Sequence, residues 1–138
     1  MIRMIYECDG GYVPVKKYDA DAGFDLSTPD DILLEAGKIT LVDTKIRVLI
    51  PLGCVGLILP RSGLSSEGVT VATGVIDAGY TGHIKVAMSI IAGTRRFVAG
   101  NRIAQLVVLP LARMTPIEGN VSALKTQRGQ NGYGSSGL

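Results

Sequence analysis

The run Lys45-Ile46-Arg47-Val48-Leu49-Ile50-Pro51-Leu52-Gly53-Cys54-Val55-Gly56-Leu57-Ile58-Leu59 decides the fold class. Its first part alternates, with Ile46, Val48 and Ile50 on one face of a strand. Pro51-Leu52-Gly53 is a turn signal. Cys54 to Leu59 is continuously apolar, as expected of a strand buried on both faces. Working outward, the same pattern repeats. Ile32-Leu33-Leu34 and Ile39-Thr40-Leu41-Val42 are separate β-type runs broken at Ala36-Gly37. Ile84, Val86, Met88 and Ile90 share a face, and Arg102 to Leu109 is apolar except at Gln105. The stretch before Asp19 predicts an edge strand. No window keeps apolar residues at helical spacing for long. One short helix is expected from Ser62 to Glu67, closed by Gly68. The fold class that follows is all-β, a sandwich or jelly roll of about eight to ten short strands. Strand surface that is apolar on both faces exceeds what one small sandwich can hide, so a subunit interface is expected.

The chain of 138 residues is sized for one domain, and its 46% hydrophobic content suffices for a core. Its 18 glycines suit many tight turns. With 14 basic and 12 acidic residues it lacks the basic excess that nucleic acid or a membrane surface requires. No apolar run is long enough to span a bilayer, and Met1-Ile2-Arg3-Met4 does not open a signal peptide. Cys8 and Cys54 lack metal-ligand spacing and read as free thiols of a reducing cytosol. The expected location is the cytoplasm, or the host-cell interior for a viral or phage chain. A β-domain over residues 1–126 and a glycine-rich mobile tail over 127–138 are expected.

Five stretches carry candidate chemistry. Gly74-Val75-Ile76-Asp77-Ala78-Gly79-Tyr80-Thr81-Gly82 reads as the bend of a hairpin that continues into Ile84-Lys85-Val86-Ala87-Met88. It projects Asp77 and Tyr80 near the bend and offers backbone groups to a flat ligand edge. Pro60-Arg61-Ser62-Gly63-Leu64 opens the short helix, either as a phosphate site with Arg61 donors or as an ordinary Ser62 cap. Gly100-Asn101-Arg102-Ile103-Ala104-Gln105-Leu106 places an amide in an apolar strand, where it serves a ligand or satisfies a loop backbone. Asp19, Asp21 and Asp25 either hold a divalent cation, directly or through water, or form a solvated turn. Arg128-Gly129-Gln130-Asn131-Gly132-Tyr133-Gly134-Ser135-Ser136-Gly137 combines glycines able to form an anion nest with hydroxyls, a cation and a ring; as a phosphate loop it lacks the Walker ending. His83, the sole histidine, has no partner for a zinc site and is expected to be exposed at a strand start without a catalytic role. No nucleophile elbow is present.

Taken in chain order, from Asp21-Ala22-Gly23-Phe24-Asp25-Leu26 through the stretches at Pro60, Gly74 and Gly100 to that at Arg128, the five stretches resemble the five motifs of the trimeric dUTP diphosphatases (dUTPases), from about residue 20 to the end. The resemblance implies a jelly-roll or distorted-barrel subunit of the dUTPase type. It also implies a homotrimer with active sites shared between subunits, and Mg²⁺-dependent hydrolysis of dUTP to dUMP and pyrophosphate. That reaction lowers dUTP and supplies dUMP for thymidylate synthesis. It further implies that Asp77 activates the attacking water and that Tyr80 packs on the deoxyribose. The backbone from Val71 through Gly74, Val75 and Ile76 would read uracil, with Lys85 close to the nucleotide. Arg61, Ser62, Gly63 and Gln105 would bind phosphates, and Asp25 would hold water on the metal. Arg128, Tyr133, Gly134, Ser135 and Ser136 would close over the triphosphate, with Tyr133 stacking on uracil. The chain departs from relatives that carry Asn at Val71, an acidic or amide residue at His83, or an acidic residue at Gly79. The related dCTP deaminases carry a catalytic Glu further along the strand, where this chain has Val86-Ala87-Met88. A non-enzymatic β-protein would have little reason to keep Asp77, Tyr80, Arg61 and the tail together.

Overall fold

The computed structural model describes residues 2–135 and 137. In chain order the strands are β1 (Ile5–Cys8), β2 (Gly23–Ser27), β3 (Ile32–Glu35), β4 (Thr40–Leu49) and β5 (Cys54–Leu59). A single helical turn, α1 (Ser62–Ser65), follows. Then come β6 (Val69–Val71), β7 (Gly74–Ile76), β8 (His83–Ile90), β9 (Thr94–Phe97) and β10 (Arg102–Pro110), and a 3₁₀ turn at Val121–Ala123. The all-β expectation holds. One sheet runs β1-β4-β8-β6, the second β2-β10-β5-β7, and β3 pairs with β9 as a separate ribbon. No described helix is long and apolar enough to cross a membrane.

The two four-stranded sheets enclose the core between them, because alternation sends every second side chain inward. Ile46 and Val48 of β4, Ile84, Val86 and Met88 of β8, and Ile58 of β5 are all buried, with Leu26, Ile103 and Leu106 from the strands beside them. Cys54 is buried and Cys8 exposed, both as free thiols. The expectation for Cys54 to Leu59 needs correction. Cys54, Gly56 and Ile58 face the core, whereas Val55, Leu57 and Leu59 are only half-buried. The strand is apolar on both faces, and this chain covers the second only in part.

The runs at Ile39–Val42 and Lys45–Ile50, read as separate, largely merge into the single strand β4, which begins at Thr40 and ends at Leu49. A bulge explains the break in pattern. Asp43 pairs with Lys85 and Arg47 with His83, so Thr44, Lys45 and Ile46 stand opposite Ile84 alone. Lys45 takes φ 54°, a left-handed conformation that its side chain does not announce. Within the bulge the buried Thr44 hydroxyl donates to the Ile84 carbonyl at 2.6 Å, replacing a ladder bond.

The hairpin expected around Asp77 is also corrected. The tight turn exists: Tyr80 N–H donates to the Asp77 carbonyl at 3.2 Å, and Gly79 has φ 92°. Its two flanks do not pair with each other. β7 pairs with β5 in the second sheet, whereas β8 pairs with β4 and β6 in the first. The turn therefore carries the chain from one sheet to the other. Local sequence encodes the bend but not the distant partner of each flank.

Thr44→Val keeps the side-chain volume and strands the Ile84 carbonyl. The expected loss is about 1–3 kcal/mol of stability, the cost of an unsatisfied buried group, read as a lowered urea midpoint at unchanged m-value.

Candidate active site

A cleft of about 350 Å³ opens where β2, α1 and β10 meet. Asp25 of β2 is its organising group. Its Oδ1 accepts from Arg61 Nε at 2.9 Å and its Oδ2 from Arg102 Nη1 at 3.2 Å, with the Asp25 side chain only 17% exposed. Charge-assisted pairs in this semi-enclosed setting orient both guanidinium planes toward the cleft. Gln105 donates from Nε2 to the Pro60 carbonyl at 2.8 Å, satisfying a loop backbone, and also lines the same cleft. Gly23 permits this, because a Cβ there would collide with Gln105 Oε1. Ser62 and Gly63 form the exposed rim. Arg61, not Ser62, occupies the position before the helix, and no side chain caps it.

Arg102 was not singled out by sequence reasoning. In a regular strand, positions 102 and 105 would point to opposite faces. The β2–β10 register shifts between Arg102 and Ala104, and Ile103 and Ala104 are both fully buried. The extra residue turns Arg102 onto the side of Gln105 and Asp25. Adjacent buried apolar residues are the only trace of this in sequence. Lys17 and Asp21, also missed as cleft-lining groups, stand at its edge.

The acidic cluster does not assemble. Asp21 Oδ2 accepts from Tyr18 N–H, while Asp25 is engaged with arginines. Among the described residues no three His, Cys, Asp or Glu side chains are placed to hold a metal ion together.

Asp77 follows β7 and is exposed, and its carboxylate has no hydrogen-bond partner among the described residues. Tyr80 is 43% exposed. Its hydroxyl donates to the His83 carbonyl at 3.0 Å, and its ring lies where a Cβ on Gly82 would stand. Lys85 is exposed opposite Asp43. Val71 is buried, so only its backbone is available to a ligand, while Gly74, Val75 and Ile76 form β7 itself. His83 is not exposed as expected. Its side chain is 22% exposed and lies between the carboxylates of Asp9 and Asp43.

These groups occupy separate places in the chain. Asp25, Gln105 and Leu59 stand in one row across β2, β10 and β5. Ile76 pairs with Gly56, nearer the other end of β5. At roughly 3.3 Å per residue, Ile76 stands about 10 Å down the strand from that row, and Asp77 lies one residue beyond it. The end of the chain forms a third group. From Leu111 to Asn131 every residue is exposed. Arg128 Nε donates to the Asn131 carbonyl, Ser135 N–H donates to the Gly132 carbonyl, and Tyr133 and Gly134 both take positive φ. Ser136, assigned to the same loop, lies outside the described residues.

Comparison with known proteins matches this chain to the dUTPase family model over residues 10–137. The deoxyuridine 5'-triphosphate nucleotidohydrolase of Rhodococcus erythropolis is 44% identical over 91% of this chain and 79% of its own length. That of Tropheryma whipplei is 41% identical over 93% of this chain and 90% of its own. The dUTPase of Staphylococcus bacteriophage 80alpha, solved with dUpNHpp, superposes with a TM-score of 0.93, full coverage of both chains and 27% identity. A mutant dUTPase of phage phi11 of S. aureus, solved with coordination of a structural Mg(II) ion, has a TM-score of 0.78 and 27% identity, covering 87% of this chain and 97% of its own. Sequence relatives and structural neighbours agree along nearly the whole length, and the chain belongs to the dUTPase family.

Proposed function

We propose that this chain hydrolyses dUTP to dUMP and pyrophosphate, with Mg²⁺, in the cell interior, at sites built from more than one copy of the chain. The observation that carries this reading is the separation between an arginine-lined cleft and a carboxylate without a partner. Asp25 engages Arg61 through Nε and leaves the terminal Nη2 group for phosphate oxygens. The Ser62 hydroxyl and the second N–H of the Gln105 amide extend the same anion surface. Asp77 has no competing bond among the described residues. A water held against its carboxylate can therefore give up a proton as it attacks the α-phosphorus in line. Positioning and preset donors contribute most where little covalent chemistry is asked of the protein.

The protein's own groups suit an Mg²⁺ carried mainly on substrate phosphates. This ion keeps several waters and seldom takes an all-protein cage. Each oxygen of Asp25 accepts one arginine N–H and retains a lone pair for a metal-bound water. When bound, the ion neutralises charge developing on the phosphoryl oxygens. Tyr80 occupies the space of a 2′-hydroxyl, and the backbone around Val71 to Asp77, with Lys85 nearby, reads uracil. The analogue-bound phage relative supports this assignment of substrate class.

A homotrimer belongs to the same reading, and the separation supports sites assembled from different copies. The cleft, the Asp77 turn and the tail with Arg128, Tyr133, Gly134, Ser135 and Ser136 become one site only when different copies contribute them. Two further facts support assembly. Val55, Leu57 and Leu59 of β5 are only partly covered. Leu111, Met114, Ile117, Val121 and Leu124 are all exposed on the segment that leaves the barrel.

Pyrophosphate release from dUTP, dCTP, dTTP and UTP, with Mg²⁺ and with chelator, tests the activity. Turnover confined to dUTP and abolished by chelation is expected, and deamination of dCTP would replace this reading. Asp77→Asn should cost ~10²–10⁴-fold in single-turnover rate, the range for losing a general base, with retained calorimetric affinity for a non-hydrolysable dUTP analogue. Truncation at Gln127 should leave the barrel folded and greatly reduce kcat, since a closing segment completes such sites; near-full kcat would make the tail dispensable. Light scattering should return about three times the 14.5 kDa chain mass, and an active monomer would refute shared sites.

A further inference from the structure

Beneath the Asp77–Gly82 turn lies an ionic network that the proposed chemistry does not use. His83 Nδ1 stands 3.0 Å from Asp43 Oδ2, and His83 Nε2 stands 2.8 Å from Asp9 Oδ2. A carboxylate only accepts hydrogen bonds, so satisfying both requires a proton on each ring nitrogen. The geometry is that of an imidazolium. A neutral ring would set a nitrogen lone pair against one of the two carboxylates.

The network reaches the turn by two routes. The His83 carbonyl accepts the Tyr80 hydroxyl. Arg47 donates from Nε to Asp9 at 2.8 Å and from Nη1 to the Thr81 carbonyl at 2.7 Å. Asp9 is itself tied down, since its N–H donates to the Lys45 carbonyl inside the β4 bulge. The bulge also brings Asp43 and Arg47 together around one histidine, because β4 runs three residues past Ile84. The other charged groups nearby are Glu7 beside Asp9, Lys85 across from Asp43, and Lys45, whose ammonium is engaged by Asp30.

We propose that His83, as an imidazolium bridging Asp9 and Asp43, is a positioning residue that holds Tyr80 in place and thereby sets sugar selection, a control released when the ring loses its proton. The proposal rests on the assigned role of Tyr80 in the dUTPase reading. Asp43, with Asp9 behind it, holds His83 above its ordinary value. His83 and Arg47 hold Asp9 below the usual carboxylate value. Burial works to raise Asp43, but bonds from His83 and the Lys45 N–H outweigh it. The histidine contribution is therefore complete below the ordinary value of about 6.5 and is lost as pH rises through the raised one. The carboxylate contributions are lost only as pH falls through their lowered values. The clamp is closed between those limits and opens on the alkaline side.

Because His83 is the sole histidine, its ring titration can be read by NMR without assignment ambiguity. The test follows that titration from about pH 5.5 to about 9. Beside it run the Tyr80 ring resonances and the ratio of kcat/KM for dUTP over UTP. Using the ratio cancels the chemistry common to both substrates. In the wild type, His83 should titrate above about 6.5, and the selectivity ratio should fall about tenfold across the same midpoint as Tyr80 shifts. Asp9→Asn should move both midpoints to lower pH. His83→Ala should give a low ratio without pH dependence. A ratio that stays flat through the titration, a His83→Ala enzyme with wild-type selectivity, or a histidine titrating at or below its ordinary value would each overturn the clamp. If His83→Ala fails to fold, the wild-type and Asp9→Asn titrations decide. If dUTP is not hydrolysed at all, the functional reading fails while the clamp is still judged by NMR: Tyr80 signals that ignore the His83 titration would refute it.

Discussion

The carboxylate of Asp25 joins three parts of the chain that sequence keeps far apart. Bound by Arg61 and Arg102, it fixes the start of α1 and the start of β10 against β2. A mostly enclosed carboxylate between two guanidinium groups is held from two sides, each oxygen accepting one arginine N–H. The cleft depends on this arrangement. Under the proposed function its donors are preset, the condition under which electrostatic stabilisation costs no reorganisation.

Both features that shape the site are departures from regular sheet. The bulge at Ile103 turns Arg102 toward Asp25. The bulge at Thr44–Ile46 gathers Asp43, Arg47 and Asp9 around His83, beneath the turn that carries Asp77 and Tyr80. A bulge re-aims side chains while the flanking ladder stays intact. Each is held by local bonds that replace the lost pairing, Thr44 to the Ile84 carbonyl in one case and the two arginine pairs in the other. Two glycines serve the same end by leaving room: Gly23 for Gln105 and Gly82 for the Tyr80 ring.

The buried core and the exposed C-terminal segment are distinct parts of the chain. The cleft and the turn sit on a sandwich whose inward side chains, such as Ile84, Val86 and Leu106, are fully buried. From Leu111 to Asn131 every residue is exposed and lies outside that core. Apolar groups such as Met114 and Ile117 remain outside it, as does the half-covered outer face of β5. Open apolar surface of this extent is the feature on which the proposed assembly rests.

Much was legible in the sequence. Alternation at Ile46, Val48 and Ile50 and at Ile84, Val86 and Met88 determined the all-β class, because a period of two admits one buried face. Glycine at 79 marked the bend beside Asp77, since few other residues accept positive φ cheaply, whereas the helix expected to reach Glu67 ends at Ser65 and Gly68 closes the turn that follows it. The spacing of the five motifs identified the family. Only the tertiary structure decided which strands pair, and so showed that the Asp77 turn bridges two sheets rather than closing a hairpin. It also decided the partners of His83 and the facing of Arg102. The reason is common to all three. A hydrogen-bond ladder and an ion pair are made with residues tens of positions away, and a single-residue bulge reverses which face a side chain shows while leaving the local pattern almost unchanged.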